Sequence, residues 1–367
     1  LIMKKSIPIL LVIDHFGSGG AQRQIVNIAN GLIAAGEDVH IFIYYPEFTH
    51  HRANLDNRVI VHEAVKSNKF GFSVVFKLIS LLYKYNYKSA LVFLNTPAFY
   101  LELASLFYVK KITLTYSERT SLELMPTGFL SKIRYKFHGI CKNITSNSIV
   151  QSEKLKLVHV NKNVVYIPNA MPEPFFDIEI NPKAIEERIF AVVAHTTPFK
   201  NFRYVAEALV LYKTSFSSPV PKIYWYGRII KSNEFDLVER LLQEHDLTDN
   251  LVFYGAAENI PLILENSFML IHPSKFESSS NSVAEALATG TPTILGNISD
   301  HEIILNDSSA GFLVDLEKPI ELSRCLEAAT KIDAIEYQQL CENAKYYATE
   351  NFKSESVLKK YIRLLND

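Results

Sequence analysis

The sequence predicts an α/β protein made of two doubly wound, Rossmann-like domains in tandem, each on a parallel sheet. Three observations carry this. The chain has 367 residues, more than one core of ordinary size organises. Short apolar runs alternate with stretches of helical period, the pattern of repeated βαβ units. The alternation stops over EPFFDIEINPKAIEER, residues 173–188, where two prolines sit in a segment without steady period, and then restarts.

In the first half the strand candidates are 8–14, 39–45, 58–64, 90–95, 112–117 and 164–169. Between the first two, Ile25, Ile28, Ala29, Leu32 and Ile33 fall on one helical face, and Gly36 stands where a left-handed residue closes the helix. In the second half the candidates are 189–194, 222–227, 250–255, 268–272, 292–296 and 311–315. This division gives an N-terminal domain over 1–172, a linker over 173–188 and a C-terminal domain over 189–351. A last helix over 352–367 is expected to pack back on the first domain. In such sheets ligands bind beyond the carboxyl ends of the strands, so a cleft between the two domains is the expected site.

Composition excludes several classes. With 48% hydrophobic and 21% charged residues, the chain is that of a globular protein rather than a disordered one. Cys141, Cys325 and Cys341 are scattered singly, without the spacing of a zinc site or a disulfide framework, and suit a reducing cytoplasm. Ile7–Ile13 follows two lysines like a signal peptide, but it is short and runs into Asp14 and His15 without a small-residue cleavage site, so it reads as a buried first strand. The net charge of −1 conceals an asymmetry: residues 1–170 carry 20 Lys and Arg against 10 Asp and Glu, the remainder 18 against 29. The first half is therefore suited to an anionic partner such as a lipid headgroup, a diphosphate-linked acceptor or a nucleic acid.

Three loops between strand and helix carry candidate chemistry. HFGSGGAQRQ, residues 15–24, lets backbone approach a ligand and offers a helix N-terminus to an anion. It is not a dinucleotide fingerprint, because Gln22 stands where the third glycine belongs. VAHTTPFKN, residues 193–201, places Lys200 between strand and helix, where it can neutralise a phosphate or stand as an ordinary loop lysine. KFESSSNSVAEALATG, residues 275–290, sets Glu277 in a loop and Glu285 in the first turn of the following helix. Ser282 and Glu285 read as a capping box. The two carboxylates also offer acceptors for hydroxyls beside N–H donors for phosphate, the two demands of a nucleotide sugar.

Taken together these segments resemble retaining glycosyltransferases of the GT-B fold, family 4 in particular. The Glu, seven residues, Glu arrangement followed by A-L-A-T-G-T-P is similar to that family's donor-site motif. GSGGAQRQ, VVYIPNAM, VAHTTPFKN and SERTS resemble further segments in the right order, across most of the chain. The resemblance implies that Glu277 binds hydroxyls of the transferred sugar, with backbone around Ser278, Ser279, Ser280, Asn281 and Ser282, and that Glu285 binds the ribose. Lys200 would hold the diphosphate and stabilise it as it leaves. Gly19 and Gly20 would approach the donor phosphates, and the base would lie near Tyr254 and Gly255. Glu277 and Lys200 are thus the candidate catalytic residues.

The chain departs from that pattern at several positions. His195 stands where arginine is usual, exchanging a permanent charge for a group that titrates near neutral pH and leaving more to Lys200 or Arg228. Gln22 replaces a glutamate, and serine replaces glycine after Glu277. No D-x-D motif occurs, so no metal and no cofactor is expected beyond the nucleotide-sugar co-substrate.

The expected acceptor is a glycan or polyprenyl-linked glycan, with His15, Glu118 and Arg119 as candidates on its side, or Glu118 and Arg119 as a structural ion pair. Basic, aromatic segments at 70–88 and 132–142 suit either an anionic membrane surface or ordinary packing on the sheet, the latter favoured for 70–88. No nucleic-acid-binding signature accompanies the charge. The expectation is a cytoplasmic enzyme, peripheral at the inner face of the inner membrane, acting in surface polysaccharide synthesis of bacterial type with a UDP-sugar donor. Its rivals are a non-catalytic GT-B subunit that binds a nucleotide sugar or glycan, and a nucleotide-sugar epimerase.

Overall fold

The computed structural model describes residues 7–66, 71–121, 128, 137–181 and 183–366. The chain divides into two compact units, residues 1–170 with 354–367, and residues 171–353.

Among the described residues the first unit holds seven strands: β1 (Ile9–Val12), β2 (Val39–Ile43), β3 (Ile60–Glu63), β4 (Ser89–Phe93), β5 (Thr113–Glu118), β6 (Asn143–Ser146) and β7 (Asn163–Tyr166). All are parallel, in the order β3-β2-β1-β4-β5-β6-β7. The helix Gly20–Ala34 buries Ile25, Ile28, Ala29, Leu32 and Ile33. Gly36 closes it at φ +90°, and the Glu37 amide reaches back to the Leu32 carbonyl at 3.0 Å. The C-terminal helix, Ser354–Asn366, shares that core through Val357, Tyr361, Leu364 and Leu365. A separate core beneath the helices Phe72–Tyr85 and Asn95–Leu106 takes Leu10, Val12, Phe42, Ala90 and Val92 from the strands.

β6 is absent from the strands expected from the sequence. Its residues, Asn-Ile-Thr-Ser, carry one apolar side chain, so no hydrophobic run marks it. In the sheet interior its first residue is held by side-chain bonds, while Thr145 Oγ1 is buried without a hydrogen-bond partner among the described residues. Asn143 Nδ2 donates to Thr115 Oγ1 at 3.3 Å and to the Leu364 carbonyl at 3.2 Å, and Asn163 donates to Asn143 Oδ1 at 3.0 Å.

The second unit holds β8 (Phe190–Val193), β9 (Ile223–Tyr226), β10 (Leu251–Gly255), β11 (Met269–His272), β12 (Thr293–Gly296) and β13 (Gly311–Val314). They form a parallel sheet in the order β10-β9-β8-β11-β12-β13. Trp225, Phe202, Phe235 and Phe253 meet in the core on one face, and the helix Asn281–Thr289 packs on the other with Phe175. Residues 173–188 include the turn Glu173–Phe175 and the short helix Lys183–Glu187, and they lie within this unit.

Two expectations fall partly outside the described residues, the segment 70–88 at Phe70 and the segment 132–142 at 132–136. Among the described residues no helix is long and apolar enough to cross a membrane.

Candidate active site

Strand order determines which loops meet. In the second sheet the chain leaves β8 towards β9 and leaves β11 towards β12, so the loops after these two neighbouring strands diverge and open a crevice at their carboxyl ends. The loop after β8 carries Lys200, and the loop after β11 carries Glu277. The Lys275 amide donates to the Phe199 carbonyl at 2.8 Å, tying the two loops together. Lys200 Nζ donates to Glu277 Oε1 across a separation of 77 residues.

Behind Glu277 stands a residue that the sequence did not single out. His272, the last residue of β11, is buried, with Nε2 at 3.3 Å from Glu277 Oε1 and Nδ1 at 3.4 Å from Ser282 Oγ. These contacts fit a neutral imidazole that donates to Glu277 and accepts from Ser282. Burial alone would raise the Glu277 carboxyl, but His272 and Lys200 hold it well below the usual carboxylate range. Burial lowers His272, against the pull of Glu277. A second buried histidine, His301, packs its ring 5.3 Å from His272 and hydrogen-bonds the Gly296 carbonyl at 2.8 Å. Burial and His272 push it down to about 3. The clue to His272 was its type, a histidine ending an otherwise apolar strand; His301 opens the helix His301–Ser308 and carried no such mark.

The serine run caps the next helix. Ser280, rather than Ser282, is the N-cap, its hydroxyl accepting from the Val283 amide. Asn281 opens the helix Asn281–Thr289 and Ser282 lies inside it. The expected capping box of Ser282 and Glu285 is therefore corrected: the cap lies two residues earlier, and Glu285 is buried in the second turn rather than placed in the first. Ser278 and Ser279 occupy the loop, and the Ser278 carbonyl accepts from Ser299 Oγ at 2.8 Å. A small cavity lies against this run, walled by Ser278, Ser280, Ser299, Asp300 and His301.

His195 follows β8 and accepts at Nδ1 from the Arg228 amide at 3.1 Å. Burial, with Arg228 and Lys200 nearby, lowers its pKa. These influences disfavour the charged imidazolium, and the accepting Nδ1 is that of a ring bound through its lone pair. The Arg228 side chain is exposed. Tyr254, at the end of β10, is also exposed; it stacks on Tyr226 at 5.3 Å and meets Tyr224 edge-on. Gly255 beside it has φ +85°, and its carbonyl accepts from the Gly227 amide at 2.7 Å.

In the first unit the corresponding divergence lies between β1 and β4. After β1, His15 Nδ1 accepts from the Gly17 amide at 2.9 Å and its ring packs 5.0 Å from Phe48. Gly19 caps the helix that Gly20 opens, and a Cβ at Gly19 would meet Gln22 Oε1 at 2.1 Å. Gln22 donates to Asp14 Oδ1 at 2.9 Å, a bond that the glutamate usual in the resembling family could not make between two ionised carboxylates.

At the end of β5, Glu118 is buried; Tyr116 donates to it, and the Arg119 and Thr120 amides reach it at 2.9 Å each. Burial raises its pKa against these bonds. Arg119 turns instead to Ser117, to Asn169 at 2.7 Å and to the Tyr361 hydroxyl at 2.6 Å, stacking its guanidinium 4.0 Å over Phe93. The alternative of a Glu118–Arg119 side-chain ion pair is replaced by these separate partners. Gln24, also unmarked in the sequence, clasps the Ala170 backbone by 2.8 and 3.0 Å bonds.

The two parallel-sheet units define the class of fold, GT-B. Residues 175–350, nearly all of the second unit, match the family Glycosyl transferases group 1. The structure is similar to that of HepE from Anabaena in complex with UDP, with a TM-score of 0.84 at 14% identity over 98% of this chain and 99% of that one. In sequence the chain is 28% identical over 161 residues to the UDP-Gal:alpha-D-GlcNAc-diphosphoundecaprenol alpha-1,3-galactosyltransferase of Escherichia coli, 41% of each chain. It is 20% identical over 226 residues to the N-acetyl-alpha-D-glucosaminyl L-malate synthase of Bacillus anthracis, 60% of this chain and 58% of that one. The matches thus span about two fifths to three fifths of these relatives' lengths.

Proposed function

We propose that the protein transfers a sugar from a nucleoside diphosphate donor, a UDP-sugar by preference, to a glycan or lipid-linked glycan acceptor, with retention and without a metal. The observation that carries this reading is the Lys200–Glu277 pair at the divergence of β8 and β11. Glu277, kept ionised by His272 and Lys200, is an acceptor for sugar hydroxyls. Lys200 supplies the positive charge for the departing diphosphate, assisted by the N-terminus of the helix that Ser280 caps. The exposed Tyr254–Tyr226 stack stands at the ends of β10 and β9. β10 lies two strand spacings from β8, roughly 10 Å, a span suited to a base whose diphosphate reaches Lys200.

Support for the donor and acceptor classes comes from the printed activity of the Escherichia coli relative and from UDP bound to HepE. Metal independence rests on the want of a D-x-D sequence and on Lys200 as the resident cation. A lipid-linked acceptor would place the enzyme at the cytoplasmic face of the membrane, its basic first half towards anionic lipid.

The test is a thermal-shift and donor-turnover panel of nucleotide sugars on the purified chain and on Glu277→Ala. A true donor at one hundred times its Kd raises stability by about 2.7 kcal/mol and releases nucleoside diphosphate when an acceptor is supplied. Glu277→Ala abolishes transfer. An active Glu277→Ala variant overturns the donor-site reading; binding without turnover supports a non-catalytic subunit, and conversion of donor without acceptor an epimerase.

A further inference from the structure

The second unit carries a groove that shares no residue with the loops of Lys200 and Glu277. It lies between the helices His301–Ser308 and Ala334–Phe352 and measures about 530 Å³, within the roughly 300–1,000 Å³ of small-molecule sites. Its wall includes Ser309, in the turn that enters β13 at the amino edge of the sheet. Lys200 and Glu277 follow strands at the opposite, carboxyl edge.

The wall is polar. Asn343, Tyr346, Tyr347, Glu350 and Asn351 stand at i, i+3, i+4, i+7 and i+8 on one face of the longer helix, and Asp307 joins them from the last turn of the shorter one. Asn343 Nδ2 donates to the Ser309 carbonyl at 3.2 Å and Asn351 Nδ2 to the Tyr347 carbonyl at 2.9 Å, bonds that fix both amides. The Asp307 and Glu350 carboxylates, Asn351 Oδ1 and the Tyr347 hydroxyl make no hydrogen bond or ion pair among the described residues. Tyr347 is the most telling of these. It is only 8% exposed, with its ring edge-on to Phe352 at 5.6 Å, and a hydroxyl so buried is ordinarily paired. Burial, with Asp307 and Asp300 close by, pushes its pKa up to about 12, so it is a proton donor at neutral pH. Tyr346, one residue earlier, is 72% exposed and presents an open aromatic ring beside it.

This chemistry selects a ligand. A donating phenol beside accepting carboxylates and an amide oxygen suits groups that both donate and accept, as sugar hydroxyls do. The open Tyr346 ring suits the C–H face of a pyranose. Two unpaired carboxylates repel phosphate, nucleic acid and anionic lipid. Among the described residues no three His, Cys, Asp or Glu side chains come together to hold a metal ion. We infer that the groove binds a neutral oligosaccharide, at a site separate from that of the donor. The inference rests on the glycan-acceptor reading for its purpose: a groove that holds one stretch of a glycan raises the effective concentration of the rest at the enzyme.

Calorimetric titration of the full chain carrying Glu277→Ala, without donor, tests it. The probes are neutral tri- and tetrasaccharides of glucose, galactose and N-acetylglucosamine, each with and without EDTA. At least one is expected to bind with a Kd of about 1 mM or tighter, unaffected by EDTA. Tyr346→Ala weakens that binding roughly three- to tenfold, the weight of one aromatic contact. Tyr347→Phe, which keeps the ring and removes the hydroxyl, weakens it by a similar roughly three- to tenfold. Asp307→Asn with Glu350→Gln weakens it about tenfold or more. Asp307, Tyr346 and Glu350 are exposed, so these replacements leave the fold intact, which an unchanged urea midpoint verifies. The inference is overturned if no probe binds, if the bound probe is indifferent to all these substitutions, or if EDTA abolishes binding, which would make the groove a cation site. Probe binding that the groove variants weaken, in a wild-type chain that transfers no sugar, keeps the groove and rejects only the catalytic reading.

Discussion

A carboxylate that shares both a lysine and a histidine stays ionised under conditions that would neutralise it in water. Glu277 is such a group, and His272 positions it. Replacing His272 by alanine removes one of the bonds that hold the carboxyl down while most of the burial remains, so the Glu277 pKa moves upward. Because a depressed carboxyl keeps its charge until the pH falls through the folded-state value, the acid limb of donor binding shifts to higher pH in His272→Ala. Donor affinity at neutral pH falls by roughly ten- to a hundredfold, the weight of about 1.5–3 kcal/mol for a hydrogen bond to a charged group. His272→Gln, which can still donate, recovers part of it. Isotherms for the donor at several pH values decide the matter: an acid limb that stays in place shows that His272 is merely packed there.

The helix Asn281–Thr289 shows how an element is bounded by groups of different kinds. Ser280 supplies the N-cap, and Gly290 ends the helix at φ +80°, a left-handed conformation that glycine adopts without strain. Ser280→Ala is expected to lower stability by about 1 kcal/mol, within the usual range of 0.5–2 for a lost cap. Ser282→Ala, inside the helix, loses a contact to His272 and no cap. Urea midpoints separate the two assignments, because a larger loss at Ser282 than at Ser280 would restore the cap to Ser282. The C-terminal helix illustrates another kind of boundary: Tyr361 receives Arg119, which also holds Asn169 in the turn after β7.

At the scale of the whole chain, buried histidines couple folding to protons. His51 is lowered to about 4, chiefly by burial, and His301 to about 3. A histidine whose folded pKa lies below its unfolded value near 6.5 takes up a proton on unfolding. Its contribution is complete above that value and is lost as the pH falls towards the folded pKa. Each such group therefore gives a slope of up to about 1.4 kcal/mol per pH unit across that window. The urea midpoint should fall measurably between neutral pH and about pH 5. A midpoint constant over that interval would show that these imidazoles are protonated within the fold.

Local pattern was sufficient for much of the architecture. The alternation of apolar runs and helical stretches determined two parallel α/β sheets, twelve of the thirteen strands among the described residues, and the amphipathic face of the helix Gly20–Ala34. These features depend on side-chain period and on turn residues, which neighbouring positions carry. The tertiary structure alone decided strand order, and with it that Lys200 and Glu277 meet, because adjacency of β8 and β11 depends on where the chain reverses direction across the sheet. It also decided the partners of buried polar groups: the amides that hold β6 in its sheet, the histidine behind Glu277, the separate bonds of Glu118 and Arg119. Such groups are stable in a core once distant donors and acceptors satisfy them, and no local period records which distant residue that is.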